Sequence, residues 1–120
     1  DRIHLPGYIS EEEKKYLMHN ACAFVFPSNY EGFGIPVVEA MSCGGIVITA
    51  DNSSLKEVGG KAAFYVQKTD EVSQLADRMV QCFNLSDAER KKLTVDGESW
   101  AAQFSWKKCA HETQAVLEQG

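Results

Sequence analysis

The chain has 120 residues, of which 44% are hydrophobic and 24% are charged, the composition of an ordinary globular domain. Its formal net charge of −5 argues against a general nucleic-acid-binding protein, because such proteins place clustered Lys and Arg against phosphates. No apolar run approaches the ~20 residues that a helix needs to span a bilayer. We therefore expect one folded domain that does not bind nucleic acid.

The cysteines indicate the cellular compartment, and the first residue indicates whether the sequence is part of a longer chain. Cys22, Cys43, Cys82 and Cys109 show neither a CxxC pair nor a zinc-type spacing, and we interpret them as reduced core thiols of a cytosolic protein. The chain opens at Asp1 instead of an initiator Met, in what reads as the mouth of a strand. This start predicts a fragment of something longer.

Hydrophobic periods typical of strands and helices alternate along the chain, which indicates an α/β protein. Strands are predicted at residues 2–5, 21–26, 46–49 and 63–66, the second as a continuous apolar run suited to burial on both faces. Helices are predicted at 10–20, 35–42 and 55–58, and then from 69–70, from 86 to about 102, and from 105. The prediction is a Rossmann-like parallel sheet of about four strands flanked by helices, with a helical C-terminal tail.

Several local signals refine this outline. The patterns Ser10-x-x-Glu13 and Ser86-x-x-Glu89 are capping boxes, and in the first helix Tyr16 and Leu17 are expected to face inward. We expect a single domain over 1–120, with an α/β part at 1–68 and C-terminal helices at 69–120. The aromatic residues near the end are interpreted as packing anchors and not as base-stacking groups: Trp100, Phe104 and Trp106.

The stretch at residues 30–41, with the sequence YEGFGIPVVEAM, carries the strongest functional signal. Gly32 and Gly34 tolerate positive φ and allow backbone amides to approach a ligand closely, and Pro36 suits the start of a helix. A helix start favours an anion through its unpaired N–H groups and partial positive charge. Glu31 lies before this glycine loop, and Glu39 lies about one turn inside the helix. The arrangement suits a sugar nucleotide, whose hydroxyls bond carboxylates and whose diphosphate bonds amides.

Polar side chains follow the predicted strands at the edge where open α/β sheets bind ligands. Ser28 and Asn29 follow the second strand, and Asp51 and Asn52 follow the third. They are candidates for the periphery of the same site, although an ordinary turn and helix cap explain Asp51 and Asn52 about equally well, and Ser28 and Asn29 are similarly ambiguous. The histidines have no spaced partner, so no metal site is predicted.

The same residues closely resemble the retaining glycosyltransferases of family 4, which use sugar nucleotides and have the two-domain GT-B fold. The matching segments cover most of the chain: LPGYIS at 5–10, AFVFPS at 23–28, EGFG at 31–34, EAM at 39–41, ITAD at 48–51, EVGGKAA at 57–63 and FSW at 104–106. One departure is Gly45-Ile46, where family members often have Thr-Pro.

The resemblance implies a role for each residue of the glycine loop. Glu31 would be the catalytic carboxylate, in contact with donor-sugar hydroxyls near the anomeric carbon. Gly32, Phe33, Gly34 and Ile35 would meet the sugar or the diphosphate. Glu39 would accept hydrogen bonds from the ribose hydroxyls. The resemblance implies no cofactor besides the donor, and no metal.

The resemblance also implies partners that this chain would meet only as part of a larger enzyme. The match covers the later part of the nucleotide-sugar-binding domain, so the domain that binds a glycan or lipid-linked acceptor would lie elsewhere. We therefore expect that the fragment alone does not turn over substrate. The sequence identifies neither the nucleotide base, the sugar nor the acceptor. The resemblance implies a hexosyltransferase, such as a mannosyl- or glucosyltransferase, and mannose from a guanine nucleotide is one candidate donor. A cell-surface glycan such as a capsule or O-antigen is the expected kind of product, and the cytoplasm, at the inner face of the membrane, is the expected location. Apolar surface left by the missing half predicts self-association.

Two other functions are compatible with the same fold. One is a non-catalytic module that binds a nucleotide sugar or acts as a scaffold. The other is a relative of the phosphorylases or glycogen synthases that acts on glucan.

Overall fold

The computed structural model describes residues 2–27, 34–51, 53–67, 71–104 and 106–119. Strands and helices alternate over the first part and helices follow, as the sequence pattern predicts. The elements in chain order are α1 (Glu11–Asn20), β1 (Phe24–Phe26), α2 (Ile35–Ser42), β2 (Val47–Ala50), α3 (Ser53–Gly59), β3 (Phe64–Val66), α4 (Val72–Phe83), α5 (Asp87–Ala101) and α6 (Trp106–Gln119).

The three strands form one parallel sheet in the order β1-β2-β3. Phe24 lies opposite Val47 and Ile48 opposite Phe64, so each strand is joined to the next through a helix that crosses over the sheet. All four residues of β2 are buried, as expected for a central parallel strand covered on both faces. The hydroxyl of Thr49, the polar residue among them, donates to the carbonyl of Phe26 at 2.8 Å. The predicted α/β class and parallel sheet are confirmed.

The sheet differs from the prediction at its first strand and at the burial of its second. Residues 2–5 are not a strand, and Ile3 and Leu5 are 80% and 91% exposed. A strand needs a neighbouring edge for its N–H and C=O groups, and none of the described strands pairs with this segment. The described sheet therefore has three strands instead of four. It also leaves β1 half-buried, because β1 pairs with β2 alone.

The N-cap roles predicted for Ser10 and Ser86 by the capping-box patterns are confirmed. The Ser10 hydroxyl accepts from the amide of Glu13, and the Ser86 hydroxyl from the amide of Glu89, each at 3.1 Å. Either contact satisfies a backbone donor that a helix start leaves unpaired, which contributes about 1 kcal/mol. The predicted cap at residue 105 lies outside the described residues.

The faces of two helices differ from the prediction. In α1, Tyr16 and Leu17 are 68% and 51% exposed, while Met18 is buried against α2. In α4 the apolar residues recur at the spacing of an amphipathic helix, which predicts a buried stripe. The helix begins at Val72 and not at 69–70, and much of that stripe is exposed, including Phe83. Periodicity identifies a helix, but the side on which a neighbour packs decides which residues are buried.

The core consists of two clusters of buried residues on opposite sides of the sheet. One centres on α2 and α3 and includes Val37, Met41 and Leu55, and the other lies under α4 and includes Ile48 and Val66. Helix α5 packs along α2. Helix α2 is thus held between the sheet and α3 on one side and α5 on the other.

Trp100 of α5 anchors the far end of α3. Its indole N–H donates to the carbonyl of Val58 at 2.6 Å, and its ring meets that of Phe104 edge-on with the centroids 5.8 Å apart. The prediction that these two aromatic residues are packing anchors is thus confirmed. The side chain of Trp106 lies outside the described residues.

The cysteines for which the structure describes side chains are free thiols, but they are not all in the core. Cys82 is buried, Cys43 is half-buried and Cys22 is exposed, because Cys22 precedes the uncovered edge strand. Burial raises the pKa of the Cys82 thiol. In the described ranges, the helices are too short or too polar to cross a bilayer.

Candidate functional site

The start of α2 has the backbone geometry that the glycine loop predicts. Gly34 is the N-cap residue with φ of +76°, in the left-handed region that residues with a Cβ rarely adopt. A Cβ added there would lie 2.7 Å from Cδ2 of Leu55, which is fully buried. Gly34 is therefore required both by its backbone conformation and by the close approach of α3.

The first turn of α2 is open to a ligand. No side chain of the described residues caps this helix start, Pro36 lies in its first turn, and the Ile35 side chain is 42% exposed. At this helix start Pro36 has no N–H and the amide of Val37 donates to the carbonyl of Gly34 at 3.0 Å, so the amide of Ile35 and the helix dipole are what would attract an anion. The predicted ligand-binding positions Gly34 and Ile35 thus lie at a helix start suited to a diphosphate.

Glu39 lies one turn further along α2, where it has an ion-pair partner. Its Oε2 is 3.0 Å from Nζ of Lys14 in α1, and the side chain is 40% exposed. The same ammonium lies 3.1 Å from Oε1 of Glu11. Hydrogen bonds to Glu39 first and Glu11 second raise the pKa of Lys14, so this residue stays cationic at neutral pH. Glu39, which lies among the apolar residues of α2, thus has a cationic partner in α1.

Two clefts meet at this ion pair. One, of 310 Å³, follows α2 from Ile35 to Cys43, and the other, of 500 Å³, lies between Ile9, Pro36 and β1. Lys14, Met18 and Glu39 line both clefts. The Glu39 carboxylate is thus within reach of a ligand that binds in either one.

Asp51 lies at the carboxyl edge of β2, near the start of α2. Its amide donates to the carbonyl of Val66 at 2.8 Å, and its Oδ1 lies 3.3 Å from Nζ of Lys56. Burial, and then the charge of Asp51, raise the pKa of Tyr65 to about 12. Helix α3 follows Asp51, and its residue Leu55 packs on Gly34. The carboxyl end of β2 and the start of α2 are therefore joined through α3.

The remaining predicted site residues lie outside the described residues: Ser28, Asn29, Glu31, Gly32, Phe33 and Asn52. Their roles stay predictions. Among the described side chains, no three His, Cys, Asp or Glu residues are grouped so as to hold a metal ion.

Sequence reasoning missed Lys14. Its pairing with Glu11 at i, i+3 could be read from the helix, but its contact with Glu39 joins two helices separated by β1. No local pattern predicts which residue of α1 faces α2.

A parallel α/β sheet whose carboxyl edge opens on an uncapped, glycine-started helix is the architecture of α/β proteins that bind phosphorylated ligands. The family model described as "Glycosyl transferases group 1" matches residues 1–100. The chain therefore belongs to the group 1 glycosyl transferases.

Two similar proteins are named as mannosyltransferases. O-antigen chain mannosyltransferase B of Escherichia coli is 40% identical over 107 residues, which cover 89% of this chain and 28% of the relative. MMP alpha-(1->4)-mannosyltransferase of Mycolicibacterium hassiacum is 33% identical over 124 residues, covering 98% of this chain and 29% of the relative. The chain thus spans less than a third of either relative.

Proposed function

We propose that this chain is the later part of the donor-binding, C-terminal domain of a retaining glycosyltransferase of family 4 with the GT-B fold. The enzyme transfers a sugar from a nucleoside diphosphate sugar to a glycan or lipid-linked acceptor. The observation that carries this proposal is the half-exposed carboxylate of Glu39, one turn inside a helix that begins uncapped at Gly34. Membership of the group 1 family supports it.

In this proposal each part of the site binds one part of the donor. The ribose hydroxyls donate to Glu39, and the diphosphate accepts from amides at the start of α2, where the helix dipole stabilises its charge. Glu31 holds hydroxyls of the sugar. Transfer with retention then depends on positioning the anomeric carbon and on stabilising the departing diphosphate, for which the resemblance implies no metal.

For the transferred sugar we propose mannose, carried by a guanine nucleotide, with a cell-surface glycan as the product. The support is that two similar proteins bear the names of an O-antigen chain mannosyltransferase and an MMP alpha-(1->4)-mannosyltransferase. We place the enzyme in the cytoplasm, peripheral to the membrane. The free thiols of Cys22, Cys43 and Cys82 are compatible with that reducing compartment.

The test of the nucleotide site is the substitution Glu39→Gln. We expect the affinity of the chain for GDP to fall by about 10-fold or more, because a hydrogen bond to a charged acceptor contributes roughly 1.5–3 kcal/mol. Titration calorimetry with GDP, UDP and ADP measures the effect and identifies the preferred base. Glu12→Gln, the same change at an exposed position of α1, is the matched control. Equal affinities for all three proteins would refute the role of Glu39.

We also propose that the isolated chain self-associates. The surface of α4 exposes Met79, Val80 and Phe83, which line a 360 Å³ cleft with Val25 of the edge strand. Burial of this apolar surface stabilises a complex of two copies. The sedimentation coefficient should rise with concentration, and Phe83→Glu should suppress the rise. A monomer at high concentration would contradict the proposal.

A further inference from the structure

Lys14 joins carboxylates from two different helices beside the proposed donor site. Its Nζ lies 3.0 Å from Oε2 of Glu39 in α2 and 3.1 Å from Oε1 of Glu11 in α1. Among the described residues, no second cation forms an ion pair with Glu39, and no side chain donates a hydrogen bond to its Oε1. One oxygen of Glu39 is thus held by Lys14 while the other remains available to a ligand.

The charge of Lys14 matters because the proposed ligand is an anion. Glu39 lies four residues after Ile35, so its backbone is about 6 Å along the helix axis from the first turn, where the diphosphate would bind. That separation is shorter than the Debye length of about 8 Å at physiological salt. An unneutralised Glu39 would therefore repel the diphosphate, and the net charge of −5 of the whole chain would add to the repulsion.

We propose that Lys14 is a positioning residue for donor binding, which holds Oε2 of Glu39, leaves Oε1 for the ribose hydroxyls, and cancels the repulsion between Glu39 and the diphosphate. This inference rests on the proposed function of the site. It deepens that proposal, because it explains how an acidic side chain can hold the ribose next to a diphosphate.

Lys14 is not needed to keep α1 in place. Met18 is buried against α2, and Nδ1 of His19 lies 2.6 Å from the carbonyl of Cys43, so α1 has two other attachments. The side chain of Lys14 is itself 32% exposed. We therefore expect Lys14→Met to fold, and Lys14→Gln provides a second variant with the same loss of charge.

The experiment compares GDP with guanosine as probes, in the full chain. In Lys14→Met the affinity for GDP should fall by about 3- to 10-fold and that for guanosine by a smaller factor, less than about 2-fold. Both probes lose the restraint on the ribose-binding carboxylate of Glu39, but only GDP also carries the charge that Lys14 offsets. The loss should shrink at high salt, and Lys14→Arg should restore most of the affinity for GDP. An equal loss for both probes would indicate a structural role and overturn the inference, as would no loss for either.

Two further variants separate this inference from the function on which it rests. Lys15→Met removes a neighbouring exposed charge that lines the same cleft, and an effect on GDP as large as that of Lys14→Met would overturn the specific role of Lys14. Glu39→Gln should weaken both probes, and Lys14→Met should then add little to it. If Glu39→Gln weakens neither probe, the proposed nucleotide site itself is wrong. If it weakens both while Lys14→Met has no effect, only the role of Lys14 is refuted.

Discussion

Substituting Gly34 with alanine is expected to lower the free energy of unfolding by about 2–4 kcal/mol and to reduce nucleotide binding in whatever fraction still folds. The left-handed backbone at φ +76° disfavours any residue with a Cβ, and that Cβ would lie 2.7 Å from Cδ2 of Leu55. Leu55 is fully buried, so it cannot move aside without disturbing the core. Urea denaturation of the two proteins measures the difference.

Gly7 offers a matched control for this prediction. It also has a left-handed backbone, with φ of +72°, but nothing lies within 4 Å of a Cβ built there. Gly7→Ala should therefore show the conformational cost alone, about 1 kcal/mol. Equal destabilisation at Gly7 and Gly34 would mean that contact with Leu55 has no role in holding the start of α2.

The double variant with Leu55→Ala tests the contact directly. Leu55→Ala alone leaves a cavity in the core and should cost about 2–5 kcal/mol. In its presence Gly34→Ala should cost less than in the native background, because the clashing methyl group is gone. Strict additivity would contradict the close approach of α3 to this turn.

Local chemistry explains which parts of the fold the sequence could predict. The starts of α1 and α5 depend on Ser10 and Ser86, which bond amides three residues away. The bounds predicted for α2 are those observed, because Pro36 favours its first turn and Gly44, with φ of +80°, follows its last. Each of these signals lies within a few residues of the feature that it predicts.

The errors concern contacts between distant segments. The strand predicted at residues 2–5 has strand-like residues, but a strand exists only where another edge accepts its hydrogen bonds. Tyr16 and Leu17 lie on a helix that was correctly predicted, yet α2 packs on the side that carries Lys14 and Met18. For the candidate site, the sequence predicted a helix that begins at Ile35 after a glycine with positive φ, and it missed the ion-pair partner of Glu39 for the same reason.

In the full-length parent, if it is the enzyme proposed above, Glu31→Ala should have the largest effect on function. The resemblance places this carboxylate on the donor sugar near the anomeric carbon, where loss of a positioning or electrostatic group typically lowers kcat by about 100- to 1,000-fold or more. The affinity for GDP should stay nearly unchanged, because Glu31 is expected to contact the sugar and not the nucleotide. The rate of sugar transfer to the acceptor is measured through the nucleoside diphosphate released, and its dependence on donor concentration gives kcat and KM.

The pattern across two variants decides between an enzyme and a binding module of the same fold. In the proposed enzyme, Glu31→Ala impairs turnover with little effect on GDP, whereas Glu39→Gln mainly weakens the nucleotide. Glu12→Ala, an exposed carboxylate on α1, should change neither quantity. A non-catalytic module would show no transfer to lose and would keep its biological activity in Glu31→Ala. Unimpaired transfer by that variant would show that a different group positions the sugar, since a carboxylate that holds the reacting ring cannot be removed without loss of rate.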